Sequence, residues 1–423
     1  MVQDNRNDTA SLKIDADANV SHIAGIARFD VELESWLAAR KWVVRLNLLS
    51  GRPEIHRPTG IVPLTDERVA EIRFTFVYAR NGKEPSKDKI VDALALIAER
   101  RAYHPVRDYL AGLRWDGVPR LNSWLIDYAG AADTPLNRAF ARKVLCAAVR
   151  RVKKPGCKFD HVLVLHGRQD LGKSSLICSL CPDPAWFTDQ AKVGADAKET
   201  IERTSGAWLV EFPELDGLSR RDANAVKSFI TTTTDRARPA YARYTVDCPR
   251  QFVLFGTTNE RTFLNDHTGN RRWWIVSVTR CDVSGLATIR DQLWAEAVLA
   301  EPGENLWLDD TDLKAEAAAI TDASADHGPW LEVLTGCIPD GSIKIAAVEV
   351  WRMVGIEPQS INKISVAHRA NLRKALAGLG FDPDAKNMRY NGKQIHAYVR
   401  GDPASAVWWH NLSVGSDGKP DEW

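Results

Sequence analysis

Apolar positions along the chain fall into stretches of different period, and the changes of period divide it. Over the first twenty or so residues Asp, Asn, Ser and Thr mix without apolar periodicity. Such a segment has little to offset the entropy of ordering, so residues 1–20 are expected to form a disordered tail. From about Ile23 to Gly130 apolar residues recur at helical spacing, as in Val91, Leu94, Leu96 and Ile97, while the β-branched run Ile72 to Val77 predicts one strand. Residues 21–130 read as a small mixed helical region.

A helix is predicted over Leu136 to Val152, carrying Arg142, Lys143, Arg150 and Arg151 and ended by Lys153-Lys154-Pro155-Gly156. Three short apolar runs follow at wide spacing: His161 to His166, Ala207 to Phe212, and Phe252 to Phe255. Runs of this length without alternation suit strands buried on both faces of a parallel sheet. They predict an α/β core over residues 131–325. From Trp330 the pattern reads as helix, helix and hairpin. Ile345 to Trp351 forms the first helix, and Val366 to Leu379, with Ser365 as N-cap and Gly380 as stop, forms the second; two strands then flank Asn391-Gly392. This order predicts a winged helix over residues 326–400. Residues 401–423 form a tail whose Trp408, Trp409 and Trp423 follow no interpretable pattern.

Candidate chemistry enters at the end of the first core strand. Gly167, Arg168, Gln169, Asp170, Leu171, Gly172, Lys173 and Ser174, followed by Ser175, match the P-loop pattern and sit between a buried-type strand and a helix. Gly167 and Gly172 let the backbone turn its N–H groups toward phosphate oxygens, and the helix adds the positive end of its dipole. Lys173 is then placed for the β- and γ-phosphates of ATP, and Ser174 for a magnesium ion. Hydrolysis also needs a carboxylate at the end of a neighbouring strand. Glu211 is the first choice and Glu214 the second. Asn259, at the polar end of the third run, is read as a sensor that orients the lytic water. Arg271 and Arg272 follow a glycine-led turn; they suit a finger inserted from a neighbouring subunit, or else surface ion pairs.

Composition narrows the setting. Fifty-six basic residues against fifty-five acidic ones give a net charge of +1, so a nucleic-acid footprint has to be local. No apolar run approaches the roughly 20 residues needed to cross a bilayer, and the polar, acidic start does not resemble a signal peptide. A cytoplasmic location without membrane contact is expected. Of the seven cysteines, Cys178 and Cys181 have ligand-like spacing but lack a second pair, so helix packing is the better reading.

Several motifs in one order then carry a resemblance. They are His104 to Leu110, Trp115 to Arg120, Trp208 to Leu215, Lys227 to Ile230, Asp235 to Tyr241, Thr257-Thr258-Asn259 and Gly269 to Arg272. Together they resemble the virulence-associated E family of phage, prophage and pathogenicity-island proteins, whose ATPase core is similar to superfamily 3 helicases. The resemblance implies an AAA+-like, hexameric ATPase acting on DNA during replication of a mobile element, with Glu211 at the Walker B position. It also implies a channel hairpin in the Lys227 to Arg250 segment. There Arg236, Arg238, Tyr241, Arg243 and Tyr244 interleave cations with aromatics, which suits contact with a single strand. Duplex DNA would meet His368, Arg369, Arg373 and Lys374 of the winged helix, with Arg389 and Lys393 on its wing; a protein-binding role for that module stays open. The first hundred residues offer no acidic metal triad, so a separate primase is the expected partner if priming is needed. An ATP-dependent loader or switch that does not unwind DNA is the alternative to a helicase.

Overall fold

The computed structural model describes residues 29–79, 82, 84–191, 196–212, 220–237, 245–264, 270–357 and 364–409. The expected tail over 1–20, Glu214, Arg238, Tyr241, Arg243, Tyr244 and Trp423 lie outside the described residues. The chain divides into two compact units: Met1–Leu113 with Ser205–Ala207, and Arg114–Thr204 with everything from Trp208 onward.

In the first unit, helix α1 (29–39) leads into an antiparallel meander of β1 (Val43–Asn47), β2 (Arg52–Arg57) and β3 (Gly60–Pro63), followed by α2 (Asp66–Ala79), α3 (Lys87–Arg100) and α4 (Pro105–Gly112). Leu33, Leu37, Val44, Ile55, Ile72, Phe76, Leu94 and Ile97 form its buried core. The strand expected at Ile72 to Val77 is corrected here, because those residues belong to α2. Val69, Ile72 and Phe76 are buried while Phe74 is exposed, which is the spacing of one helix face rather than strand alternation. Thr75 fits the helix by donating its hydroxyl to the Glu71 carbonyl. Burial of one face has overridden β-propensity.

The second unit opens with α5 (Trp124–Ala129) and α6 (Pro135–Lys153). Thr134 caps α6 and Pro135 starts it. Next come β4 (Val162–His166), α7 (Lys173–Ser179), β5 (Phe187–Thr188), α8 (Ala197–Thr204), β6 (Leu209–Phe212), α9 (Arg220–Thr231), β7 (Thr234–Ala237), β8 (Val246–Pro249), β9 (Val253–Thr258), β10 (Trp273–Ser277), α10 (Val283–Ala300) and α11 (Thr311–Ala323). Strands β4, β5, β6, β9 and β10 make one parallel sheet in the order β10-β4-β9-β6-β5. All residues of β6 and β9 are buried, as continuous apolar strands covered on both faces require. Strands β7 and β8 form a separate antiparallel pair.

The segment Trp115 to Arg120 is fastened to α10. Backbone N–H groups of Arg120 and Leu121 donate to Glu296 at 2.6 and 2.9 Å, and that of Asp116 donates to Gln292 at 2.8 Å. Arg120 also grips Asp116 bidentately, which holds the Asp116 carboxyl down near pKa 2. The motif is thus a rigid turn pinned by one helix.

The C-terminal part runs α12 (Leu331–Cys337), β11 (Ile343–Ala346), α13 (Ala347–Met353), α14 (Val366–Gly378), β12 (Lys386–Tyr390), β13 (Lys393–Arg400) and β14 (Val407–Trp408). Its sheet has the order β12-β13-β11-β14. The single helix expected over Ile345 to Trp351 is corrected to a strand that turns into a helix at Ala346. Ile343 and Ile345 are buried with period two and pair with β13, whereas Val350 and Trp351 pack as helix residues. Ser365 caps α14 by accepting from the His368 N–H. Asn391 and Gly392 both take positive φ, 46° and 78°, the conformation a two-residue hairpin turn needs.

Candidate nucleotide site and its surroundings

The C-terminal ends of β4, β9 and β6 lie side by side and carry the polar residues that the motifs single out. The loop 167–172 leaves β4 and enters α7 at Lys173. Gly167 has to be glycine, since a Cβ there would come within 2.6 Å of the Val278 carbonyl oxygen. Gly172 takes φ 83° immediately before α7, which an L side chain resists. Asp170 also takes positive φ, 61°. The loop has the tight, inward-turning course that a phosphate cradle needs.

Lys173 is buried, with its ammonium group 2.9 Å from the Gly167 carbonyl, 2.8 Å from the Arg168 carbonyl and 2.8 Å from Asn259 Oδ1. Lys173 at the start of α7 and Asn259 just beyond β9, both picked out by sequence, therefore meet directly. Ser174 Oγ donates to Glu211 Oε1 at 2.7 Å, and Thr257 Oγ donates to the same oxygen at 2.8 Å. Glu211 is fully buried, and its Oε2 has no hydrogen-bond partner. Burial pushes its pKa up, while the Ser174 and Thr257 hydroxyls pull it back.

A magnesium ion favours hard oxygen ligands and is commonly held by one or two protein groups besides phosphates and water. Ser174 Oγ and the orphaned, buried Oε2 of Glu211 fit that demand. Among the described residues no cluster of three or more His, Cys, Asp or Glu exists that would hold a metal unaided.

Two site residues were given no role by sequence. Thr257 falls two places after Phe255, whose Cα pairs with that of Glu211 across β6 and β9, so strand alternation puts it on the same face. That register was the available signal. Asp189 follows the two-residue β5 and is close enough to raise both Glu211 and Cys178. No apolar run precedes it long enough to mark a strand end. Cys178 and Cys181 are free thiols, Cys181 buried.

Arg271 and Arg272 lie elsewhere. Strand β10 runs parallel to β4, with Trp273 opposite Val162 and Ser277 opposite His166. The arginines precede Trp273, whereas the P-loop follows His166. A five-residue strand puts them about 16 Å from the P-loop, at the other end of the sheet. The Arg271 carbonyl accepts from His161 Nδ1 at 3.2 Å.

Of the expected DNA contacts, Arg236 is exposed on β7 and pairs with Asp247 on β8 at 2.5 Å. Below it, Arg250 and Asp235 make a buried bidentate pair at 2.6 and 2.7 Å that fixes the base of this ribbon. On α14, Arg369 is exposed, Arg373 pairs with Asp384 at 2.7 Å, and His368 stacks on Trp330. Lys374 is mostly covered and bound to Asp326. Arg389 and Lys393 are exposed on β12 and β13. No helix among the described residues is long and apolar enough to cross a membrane.

Comparison with known proteins adds a family. No curated protein matches the sequence. Among solved structures, the apo structure of the NrS-1 C-terminal region aligns over 88% of this chain and 99% of that one, at 12% identity and TM-score 0.45. Its A form aligns over 88% and 100%, at 11% identity and TM-score 0.48. These values are too low to carry a conclusion about function. The model of the virulence-associated protein E-like domain matches residues 110–324, which span half the chain and contain Gly167 to Ser174, Glu211, Asn259 and both arginines: the chain belongs to the virulence-associated protein E-like family.

Proposed function

We propose that this protein is an ATP-hydrolysing motor that acts on DNA in the replication of a phage or other mobile element. The observation that carries the reading is the meeting of Lys173, Ser174, Glu211, Thr257 and Asn259 at the C-terminal end of the sheet. The sheet order supports an AAA+-like core, because β9 with Asn259 stands between the P-loop strand and the strand of Glu211.

In this reading the P-loop amides and Lys173 bind the phosphates of ATP, and Lys173 exchanges Asn259 Oδ1 for a phosphate oxygen. Asn259 is then released to orient the attacking water, and Glu211 accepts its proton or polarises it. Ser174 and Glu211 would hold magnesium, which neutralises charge on the phosphates. Arg271 and Arg272 sit too far from the P-loop of their own chain to touch its γ-phosphate, which favours a shared site in a ring of subunits, a hexamer by family resemblance. The ribbon of β7 and β8 would present Arg236 to a single strand. The order helix, strand, helix, helix, strand, strand in the C-terminal part favours a winged helix that holds duplex DNA through Arg369, Arg389 and Lys393.

The test is ATP turnover measured with and without single-stranded DNA, together with mass in solution and displacement of a strand from a tailed duplex. DNA-stimulated turnover by an oligomer that displaces the strand is expected. Turnover without displacement would make the protein a loader or switch, and no turnover would end the ATPase reading.

A further inference from the structure

A second concavity lies at the end of the sheet away from the P-loop. It encloses about 770 Å³, within the range of small-molecule sites. Its floor is aromatic. The lining rings of His161 and Trp274 stack, with centroids 4.3 Å apart and an interplanar angle of 18°, and Trp274 stacks in turn on Phe140, outside the lining, at 4.9 Å and 15°. Trp307, 54% exposed, stands on another wall.

The polar groups around this floor have a consistent sense. His161 Nδ1 faces the Arg271 carbonyl, which only accepts, so Nδ1 carries the proton and Nε2 is left as an acceptor. Burial pushes the ring's pKa down to about 4 against the opposing pull of Asp160, whose Oδ1 lies 4.0 Å from Nε2, so that these two acceptors stand side by side. The side chains of Arg271 and Lys158 make no ion pair among the described residues, and Lys314 donates only to the Asp309 carbonyl. Cations therefore reach the cavity from three separate segments. Asp160 and Asp322 complete the wall as acceptors.

We propose that this cavity is a second nucleotide-binding site, distinct from the P-loop, that takes one base and its phosphate. The base stacks on Trp307, the phosphate meets Arg271, Lys158 and Lys314, and amino or sugar hydroxyl donors meet His161 Nε2 and Asp160. Stacking platforms beside cations are how proteins hold nucleotides without long sequence readout. An acidic peptide suits the cavity less well, since its carboxylates would meet the cations but bring no flat ring to stack on Trp307. The nucleotide is either free or one unit of a single strand.

Equilibrium dialysis of the full chain against AMP tests the proposal, because AMP lacks the β- and γ-phosphates that the P-loop grips. One AMP per chain is expected in the natural sequence and in Lys173→Ala. Trp307→Ala should weaken AMP binding by about tenfold, and Lys158→Glu with Lys314→Glu should do so at low salt, while both variants keep ATP binding at the P-loop. A labelled oligothymidylate that AMP displaces, and that Trp307→Ala fails to bind, assigns the site to a strand; AMP binding without competition assigns it to a free nucleotide. The proposal is overturned if Lys173→Ala abolishes AMP binding, or if the surface charge reversals leave it unchanged. Failure of the ATPase reading leaves these measurements interpretable, since they are made in a chain whose P-loop lysine is absent.

Discussion

The two ends of the parallel sheet handle charge in opposite ways. At the C-terminal end the charged groups are buried and each is bonded to neutral side chains: Lys173 to Asn259, and Glu211 to Ser174 and Thr257. At the N-terminal end a stack of rings is buried, while Arg271, Lys158 and Lys314 stand exposed around it. An inward network is suited to a ligand that replaces one internal partner at a time, as a phosphate would replace Asn259 on Lys173. An outward arrangement is suited to something that arrives already charged, such as a neighbouring subunit's nucleotide or a strand. The same strands, β4 and β10, connect both ends.

The largest expected effect comes from breaking the inward network. Lys173→Ala and Glu211→Gln should each lower steady-state phosphate release by about 10³-fold. Glu211→Gln should retain nucleotide binding, since in the proposed mechanism its carboxylate acts on the reaction rather than on the cradle. Normal turnover in Glu211→Gln, with loss in Glu214→Gln, would move the carboxylate role to Glu214.

Next comes the outward end. Arg271→Ala or Arg272→Ala, whichever is the finger, should lower turnover by about 10³-fold although neither reaches its own P-loop. Mixing such a variant with Lys173→Ala should restore part of the activity, because some interfaces then pair two intact halves. If mixed oligomers form and activity stays at the sum of the separate variants, the shared site is wrong.

The contrast between the two ends also explains what the sequence disclosed. A P-loop is legible because its glycines, lysine and serine are contiguous and its backbone course demands them. Glu211 and Asn259 are legible because each ends an apolar run that can only be a buried strand. Arg271 and Arg272 could be found, but their end of the sheet could not, since a motif gives no strand direction or order. Thr257 stayed silent because its role depends on the register between β6 and β9. The helix over Ile72 to Val77 was misread because its β-branched residues hide a three- and four-residue burial spacing that only the packed core decides. The segment Trp115 to Arg120 reads as a motif, yet its tie to Glu296 joins positions 176 residues apart, which no local pattern reveals.

A pH experiment sharpens the comparison at the aromatic end. His161 has its pKa lowered from 6.5 to about 4 by burial, so the unfolded chain binds its proton more readily than the folded one. Its neutral state therefore favours folding above pH 6.5, and that advantage is lost as pH falls toward 4, by about 3 kcal/mol over the full window. His161→Phe keeps a ring on Trp274 and removes the titration. The urea midpoint of the natural protein should fall more between pH 7 and 4 than that of His161→Phe; equal slopes would place the imidazole in contact with water.

The smallest effect tests how finely the inward network is set. Ser174 and Thr257 donate to one oxygen of Glu211, and if Ser174 were to hold a cation, Thr257 would remain as the donor that fixes the carboxylate. Thr257→Val preserves shape and removes that hydrogen bond to a charged acceptor, an interaction worth about 1.5 kcal/mol, or about tenfold in rate. The loss should fall on kcat and spare nucleotide affinity, because the Thr257 side chain touches Glu211 and not the phosphate cradle. Thr257→Ser, which restores a hydroxyl on the same face of β9, should recover most of the turnover. A general packing defect would weaken binding and turnover together and would not be repaired by the smaller serine. Turnover of Thr257→Val within about twofold of the natural protein would mean that Glu211 is held by the buried strand alone.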